Sequence, residues 1–341
     1  MALTKEEEKA LEKKISEYSS ELYETYPIFF ENMNFTILAS TYICSVCQDF
    51  FKADEEFFYK DEIDILTVIS YCEDIAGSLD IEYKNLFQKK ISDGTINFDF
   101  SNKDDNSYTQ PKEGYTNINI MRKYNIEDIL VTIHEFFHDI HFSKFEKKLE
   151  DENCLFYSEL IAVIGDLYGA FYLYKNGLFK EDVVTYIKKI FYNTYMIANS
   201  TLIGGVTLDI YDKMQSFDDD SITKYIELTN GSENYRTMPS VYECLGGHNY
   251  HNLSTYTFGF IFSFLISDSM IKDEYYINQF KRIMENIDNY DFKDILSAFG
   301  INGVLTNPDK LYSAVLYIYH MLEAMIKKNK INFNVPKGGL C

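Results

Sequence analysis

The sequence predicts a mainly α-helical protein with a small β-sheet beside one central helix. Three observations lead there. Helical periodicities dominate, over roughly 3–26, 28–53, 60–80, 125–147, 153–175, 179–200, 219–229, 254–271, 273–288 and 308–329. Strand signals are few, chiefly Thr95–Phe100 and Tyr115–Met121, with a polar loop expected at 101–114 between them. Only five prolines and no low-complexity stretch interrupt the 341 residues, and no repeat recurs at a fixed period. Runs of helix around a small sheet make a layered domain with the sheet at one side. The expected organisation is an N-terminal helical region over 1–90 and a second region over 91–341, together forming one compact unit with a cleft.

The 115–121 segment alternates polar and apolar residues, as a half-buried strand does. The free edge of such a strand can pair with an extended peptide. The helix that follows opens at Asn125, a good N-cap, and Asp128 suits its first turn. Ile126, Ile129, Leu130 and Ile133 form its apolar stripe, and neither Pro nor Gly interrupts 125–142.

That helix carries His134-Glu135-Phe136-Phe137-His138. Histidines four apart lie on one helical face, one turn from each other. Two imidazoles so placed can hold one zinc ion while the intervening Glu135 acts as general base. The chain has six histidines, and three fall at 134, 138 and 141. Their flanks are Ile133, Phe136, Phe137 and Ile140, so this stretch is expected to be buried, where histidines and a glutamate need partners.

A zinc site of this kind takes three protein ligands and leaves a fourth position for water. His141 lies too near His138 in sequence to reach the same ion. Its expected role is to hydrogen-bond a ligand or to touch substrate. The next helix, Leu155–Tyr174, is strongly apolar, and Glu159 and Asp166 are its only charges. They stand seven apart and so share a face. Glu159 lies 21 residues past His138, enough for a turn and an antiparallel return, and is the expected third ligand. Asp166 is then placed to orient a ligand histidine.

With these residues assembled, the chain resembles the thimet oligopeptidase and oligoendopeptidase F family of zinc metallopeptidases. The family's H-E-F-G-H-x-x-H is matched by His134-Glu-Phe-Phe-His-Asp-Ile-His141, and its later Glu and acid by Glu159 and Asp166. Similar too are the strand and acidic turn over Ile118–Asp128, the segment Gly247–Gly259, and Asp294–Asn302 followed by 308–329. The resemblance spans about 90–325. It implies a gluzincin-type zinc peptidase fold, one Zn2+ per chain, and hydrolysis of oligopeptides. It also implies a His and a Tyr that stabilise the oxyanion formed at the scissile carbonyl. Spacing favours His248 with Tyr256, and His251 and Tyr250 are the alternatives. Two departures matter: Phe137 stands where the family motif has Gly, and the chain is shorter than a usual member, mostly N-terminally. The missing part roofs the family's channel, so an altered filter on substrate size is implied.

Two other classes fit fewer residues. A metal-containing peptide-binding protein without turnover has no use for Glu135. A helical interaction protein with a structural histidine cluster predicts no zinc.

Composition narrows the partners. A formal charge of −21 argues against nucleic acid, since phosphate contacts need basic clusters. The longest apolar run, near 258–266, is too short to span a bilayer. The opening Met1-Ala-Leu-Thr-Lys-Glu-Glu-Glu reads as a capped acidic helix and not as an export signal. A cytoplasmic protein is therefore expected. The cysteines at 44, 47, 72, 154, 244 and 341 are expected to be free thiols, including the Cys44-Ser-Val-Cys47 pair, which lacks a partner pair for metal. Oligomeric state is not encoded in any residue pattern found.

Overall fold

The structure is a computed structural model that describes residues 33–48, 50–51, 56–98, 100–101, 106–112, 115–144, 152–214, 219–229, 257 and 259–329. The helices of the first half are α1 (Met33–Cys47), α2 (Ile65–Leu79) and α3 (Ile81–Ser92). A three-stranded sheet follows, with β1 (Ile96–Asn97), β2 (Tyr108–Lys112) and β3 (Tyr115–Asn119). The remaining helices are α4 (Ile126–Lys144), α5 (Glu152–Lys175), α6 (Lys180–Met214), α7 (Asp219–Thr229), α8 (Phe260–Lys272), α9 (Glu274–Glu285), α10 (Phe292–Ala298), α11 (Asn302–Thr306) and α12 (Pro308–Lys328).

The expected mainly helical protein with a small sheet is what the chain forms. Two helices, α3 and α11, and one strand, β2, were not anticipated. Helix α3 is polar on average, with Phe87 its one fully buried side chain and Tyr83, Leu86 and Ile91 half-buried beside it. Asp80 starts it by accepting from Glu82 N at 2.7 Å. Strand β2 lies inside the segment expected to be a polar loop. It pairs antiparallel with β3, while β1 pairs parallel with β3, giving the order β1-β3-β2. Among the described residues, the sheet edge beside the central helix therefore belongs to β2 and not to the 115–121 strand, which is paired on both sides. Pro111 fits an edge strand, because it has no N–H to give.

Helix α4 runs through the middle of the core. Asn125 caps it, accepting from Glu127 N at 2.8 Å. Asp128 lies buried in the first turn, where its carboxylate accepts from Lys123 N (2.6 Å), Tyr124 N (3.0 Å) and Arg122 Nε (2.7 Å). Tyr124 takes a left-handed φ of 59°, and the bond from its N–H to Asp128 holds that turn. Ile129, Leu130, Ile133, Phe136 and Phe137 are fully buried. Phe136 meets Phe87 of α3 edge-on, with centroids 5.3 Å apart, and Phe137 stacks with Phe280 of α9 at 5.8 Å.

Helices α4 and α5 pack closely, and α8 covers the far side of α5. Two serines of α8 fix that second contact: Ser263 donates to Leu160 O (3.1 Å) and Ser267 to Ile164 O (3.0 Å). The boundary expected near residue 90 is bridged by buried contacts. Lys90 of α3 pairs with Asp139 of α4 at 2.7 Å and also donates to Thr116 O. Further along, α10 ends before Gly300, whose φ of 70° suits a glycine, and α12 follows with Asn307 as its N-cap and Pro308 at its start.

Candidate metal centre

The face of α4 that turns toward α5 and β2 holds the site. His134, His138 and Glu159 converge, with one donor atom from each lying within 4.8 Å of the others. The two Nε2 atoms are 3.1 Å apart. Glu159 brings Oε2 to 3.9 Å from His134 Nε2 and Oε1 to 3.5 Å from His138 Nε2.

Both imidazoles are held from behind. His134 Nδ1 lies 2.9 Å from Asp166 Oδ2, two turns along α5 from Glu159. Asp166 also accepts from the Tyr186 hydroxyl of α6 at 3.2 Å. His138 Nδ1 lies 2.7 Å from Ser158 Oγ, and its ring stacks on Phe142 at 5.8 Å and 9°. With both Nδ1 atoms engaged, both Nε2 atoms face each other and Glu159. Imidazoles tied at one nitrogen present the other as a donor pair in a set orientation.

Carboxylates dominate the electrostatics of the site. Burial alone would push the His134 imidazole down, but Asp166, Glu135 and Glu159 outweigh it and hold it up at about 10. His138 is held well below its ordinary range, by burial and then by the neighbouring His134 charge. Three carboxylates thus gather around one imidazole that keeps its proton. A divalent cation would supply the same charge.

The donor set fits zinc. Bonds of about 2.0–2.2 Å at tetrahedral angles put donors about 3.3–3.5 Å apart; the two Nε2 atoms stand 3.1 Å apart, and one donor atom from each residue lies within 4.8 Å of the others. Two imidazoles and a carboxylate are donors zinc accepts. Side-chain exposures of 18% for His134 and 26% for Glu159 leave the donors open to solvent on one side, where a fourth ligand could enter.

Glu135 sits beside this cluster. Burial pushes its carboxyl above the ordinary range, against the His134 charge and a hydrogen bond from Thr109, which pull it down. Thr109 of β2 approaches Glu135 Oε2 at 2.7 Å and Glu135 O at 2.8 Å.

His141 is completely buried, so it has no surface for the substrate contact considered for it. Its ring lies 5.7 Å from that of Phe142, and burial holds its pKa down at about 4. Tyr256, His248, His251 and Tyr250 lie outside the described residues. Three residues of the site were not singled out from sequence: Thr109, Ser158 and Tyr186. Ser158 had one signal, its place next to Glu159. Thr109 and Tyr186 had none, since their partners are 26 and 20 residues away. A separate cavity of about 550 Å3 opens on the other side of the sheet, lined by Asn97, Asn117, Asn119 and Arg122 among others, and shares no residue with the site.

The fold has counterparts among solved structures of peptidases. The architecture is similar to that of an oligoendopeptidase F from Bacillus anthracis, with a TM-score of 0.50 and 14% identity over 94% of this chain and 57% of that one. It is similar also to PZ peptidase A, solved with an inhibitor, with a TM-score of 0.50 and 12% identity over 92% of this chain and 58% of that one. This chain thus spans less than three-fifths of the length of either structure. Likeness at such identity establishes a shared fold. No protein-family model matches the sequence, and no curated protein matches it significantly.

Proposed function

We propose that this chain is a zinc-dependent peptidase that hydrolyses peptide bonds in oligopeptides. One observation carries the proposal: His134, His138 and Glu159 meet at a point that Asp166 and Ser158 turn both imidazoles to face, with Glu135 alongside. The fold shared with two structures described as peptidases supports it.

In this reading His134, His138 and Glu159 hold the ion, and Asp166 and Ser158 orient the two rings. Bound zinc supplies a Lewis acid that polarises the scissile carbonyl and makes water acidic enough to attack near neutral pH. Glu135 takes the proton from the attacking water and delivers it to the leaving amine. Tyr256 and His248, or His251 and Tyr250 in their place, would donate to the oxyanion. A peptide lying along the free edge of β2 would gain backbone hydrogen bonds there.

No described helix is long and apolar enough to cross a membrane. Cys44, Cys47 and Cys72 are free thiols, which suits a reducing compartment, and the proposed location is the cytoplasm. The experiment is a zinc measurement together with a library of short peptides. Stoichiometric zinc and cleavage, with both lost in Glu159→Ala, is the expected result. Purified chain that takes up no metal, or cleaves nothing when loaded, overturns it.

A further inference from the structure

We propose that Thr109 is a positioning residue that aims the Glu135 carboxylate, so that one chosen oxygen carries the proton. The inference rests on the peptidase reading above and assigns a part of the site outside the metal ligands.

Strand β2 brings Thr109 to the site through its register. Thr109 is opposite Ile118 of β3, and cross-strand partners point to the same face. Ile118 is fully buried, between the buried Thr116 and Ile120 on the side that packs on α4. Thr109 therefore turns its hydroxyl toward α4, where it meets Glu135 twice, at Oε2 (2.7 Å) and at the backbone O (2.8 Å).

A hydroxyl has one proton to give. Glu135 offers it two acceptors on a single residue, so the hydroxyl is clamped between the side chain and main chain of the base. Oε2 is then engaged, and Oε1 is the oxygen left without that bond. When water attacks, its O–H bond breaks as its oxygen bonds to the carbonyl carbon, and the proton goes to Oε1. When the C–N bond breaks, the same proton passes from Oε1 to the leaving nitrogen, and Glu135 ends as it began. Throughout, Oε2 can keep accepting from Thr109, because the carbonyl oxygen of a neutral carboxyl is still an acceptor. The side chain need not turn between the two transfers. Thr109 also belongs to the edge strand, so a displacement of β2 would reach the base directly.

The test compares Thr109→Val and Thr109→Ser with the wild-type full chain, loaded with zinc, on one fluorogenic peptide. Val keeps the shape and loses the hydroxyl; Ser keeps the hydroxyl. Expected for Thr109→Val is full zinc content, a KM near wild type and a kcat reduced roughly 10- to 100-fold, the scale of a small misplacement of a reacting group. Thr109→Ser should recover most of that kcat. A Thr109→Val kcat equal to wild type, or Thr109→Ser as impaired as Thr109→Val, overturns the proposal while leaving the peptidase reading intact. A wild type that binds zinc but cleaves no peptide fails the peptidase reading instead. In that case, and if kinetics are blocked by poor folding of Thr109→Val, a crystal structure of Thr109→Ala decides. Glu135 in a different rotamer supports the clamp; an unmoved carboxylate refutes it.

Discussion

The ring of Phe137 lies directly over Gly165, so that a β-carbon added there would stand 2.6 Å from the ring Cγ. A large residue on α4 meets a gap on α5, which lets the two helices that carry the site approach closely.

Gly165→Ala should therefore destabilise the fold by about 1–3 kcal/mol, the usual cost of forcing atoms into a filled core. Denaturant unfolding measures it. Adding Phe137→Leu to Gly165→Ala should recover part of the loss, and the non-additivity of the pair is the sign of direct contact. Additive effects would mean the ring and the glycine do not meet.

Glu135→Gln should keep the metal and lose turnover. The side chain keeps its size but can no longer take a proton, and general-base catalysis is worth about 10²–10⁴-fold. Zinc content by atomic emission and kcat on a short peptide are the two readings. Normal cleavage by this variant would remove Glu135 from the mechanism.

Asp166→Asn should weaken zinc binding about 10- to 100-fold, because the carboxylate behind His134 sets that ring's orientation and donor strength. Competition with a chelator reads this directly. Tyr186→Phe should do less, since it leaves the bond from Asp166 to His134 in place.

Metal affinity should rise with pH. His134 is lifted from 6.5 to about 10 in the metal-free site, so its proton must leave when a cation binds. The sign for stability is opposite. A raised value means that His134 stabilises the metal-free fold fully below its unfolded value of 6.5, and that this contribution fades as pH climbs to about 10. Calorimetric titration in buffers of different ionisation heat should show about one proton released per ion at pH 8. Thermal unfolding of metal-free protein should fall over pH 7–9 by less in His134→Gln than in wild type.

Much of this architecture could be read before any coordinates, and the parts that could share a physical reason. Helices α4 and α5 bury most of their surface, so their apolar spacing is dense, and His134, His138, Glu159 and Asp166 stand out among the few polar residues within it. Helices α12 and α9 are revealed instead by apolar residues gathered on one face. Helix α3 escaped because it is polar on average, with Phe87 alone fully buried and Tyr83, Leu86 and Ile91 only half-buried. Strand β2 escaped because it is short, polar and contains Pro111, and only its pairing with β3 makes it a strand. Thr109, Ser158 and Tyr186 are ordinary hydroxyls by sequence. Their roles come from folding partners that no local pattern names.

The paired serines of α8 have a mechanical consequence. Ser263 and Ser267 are one turn apart, and so are the carbonyls of Leu160 and Ile164 that receive them. Sliding α5 along α8 by any fraction of a turn strands both hydroxyls at once, and only a full step of about 5.4 Å would let them engage again. The arrangement works as a detent: Glu159 and Asp166, spaced on the same rod, are indexed against α8.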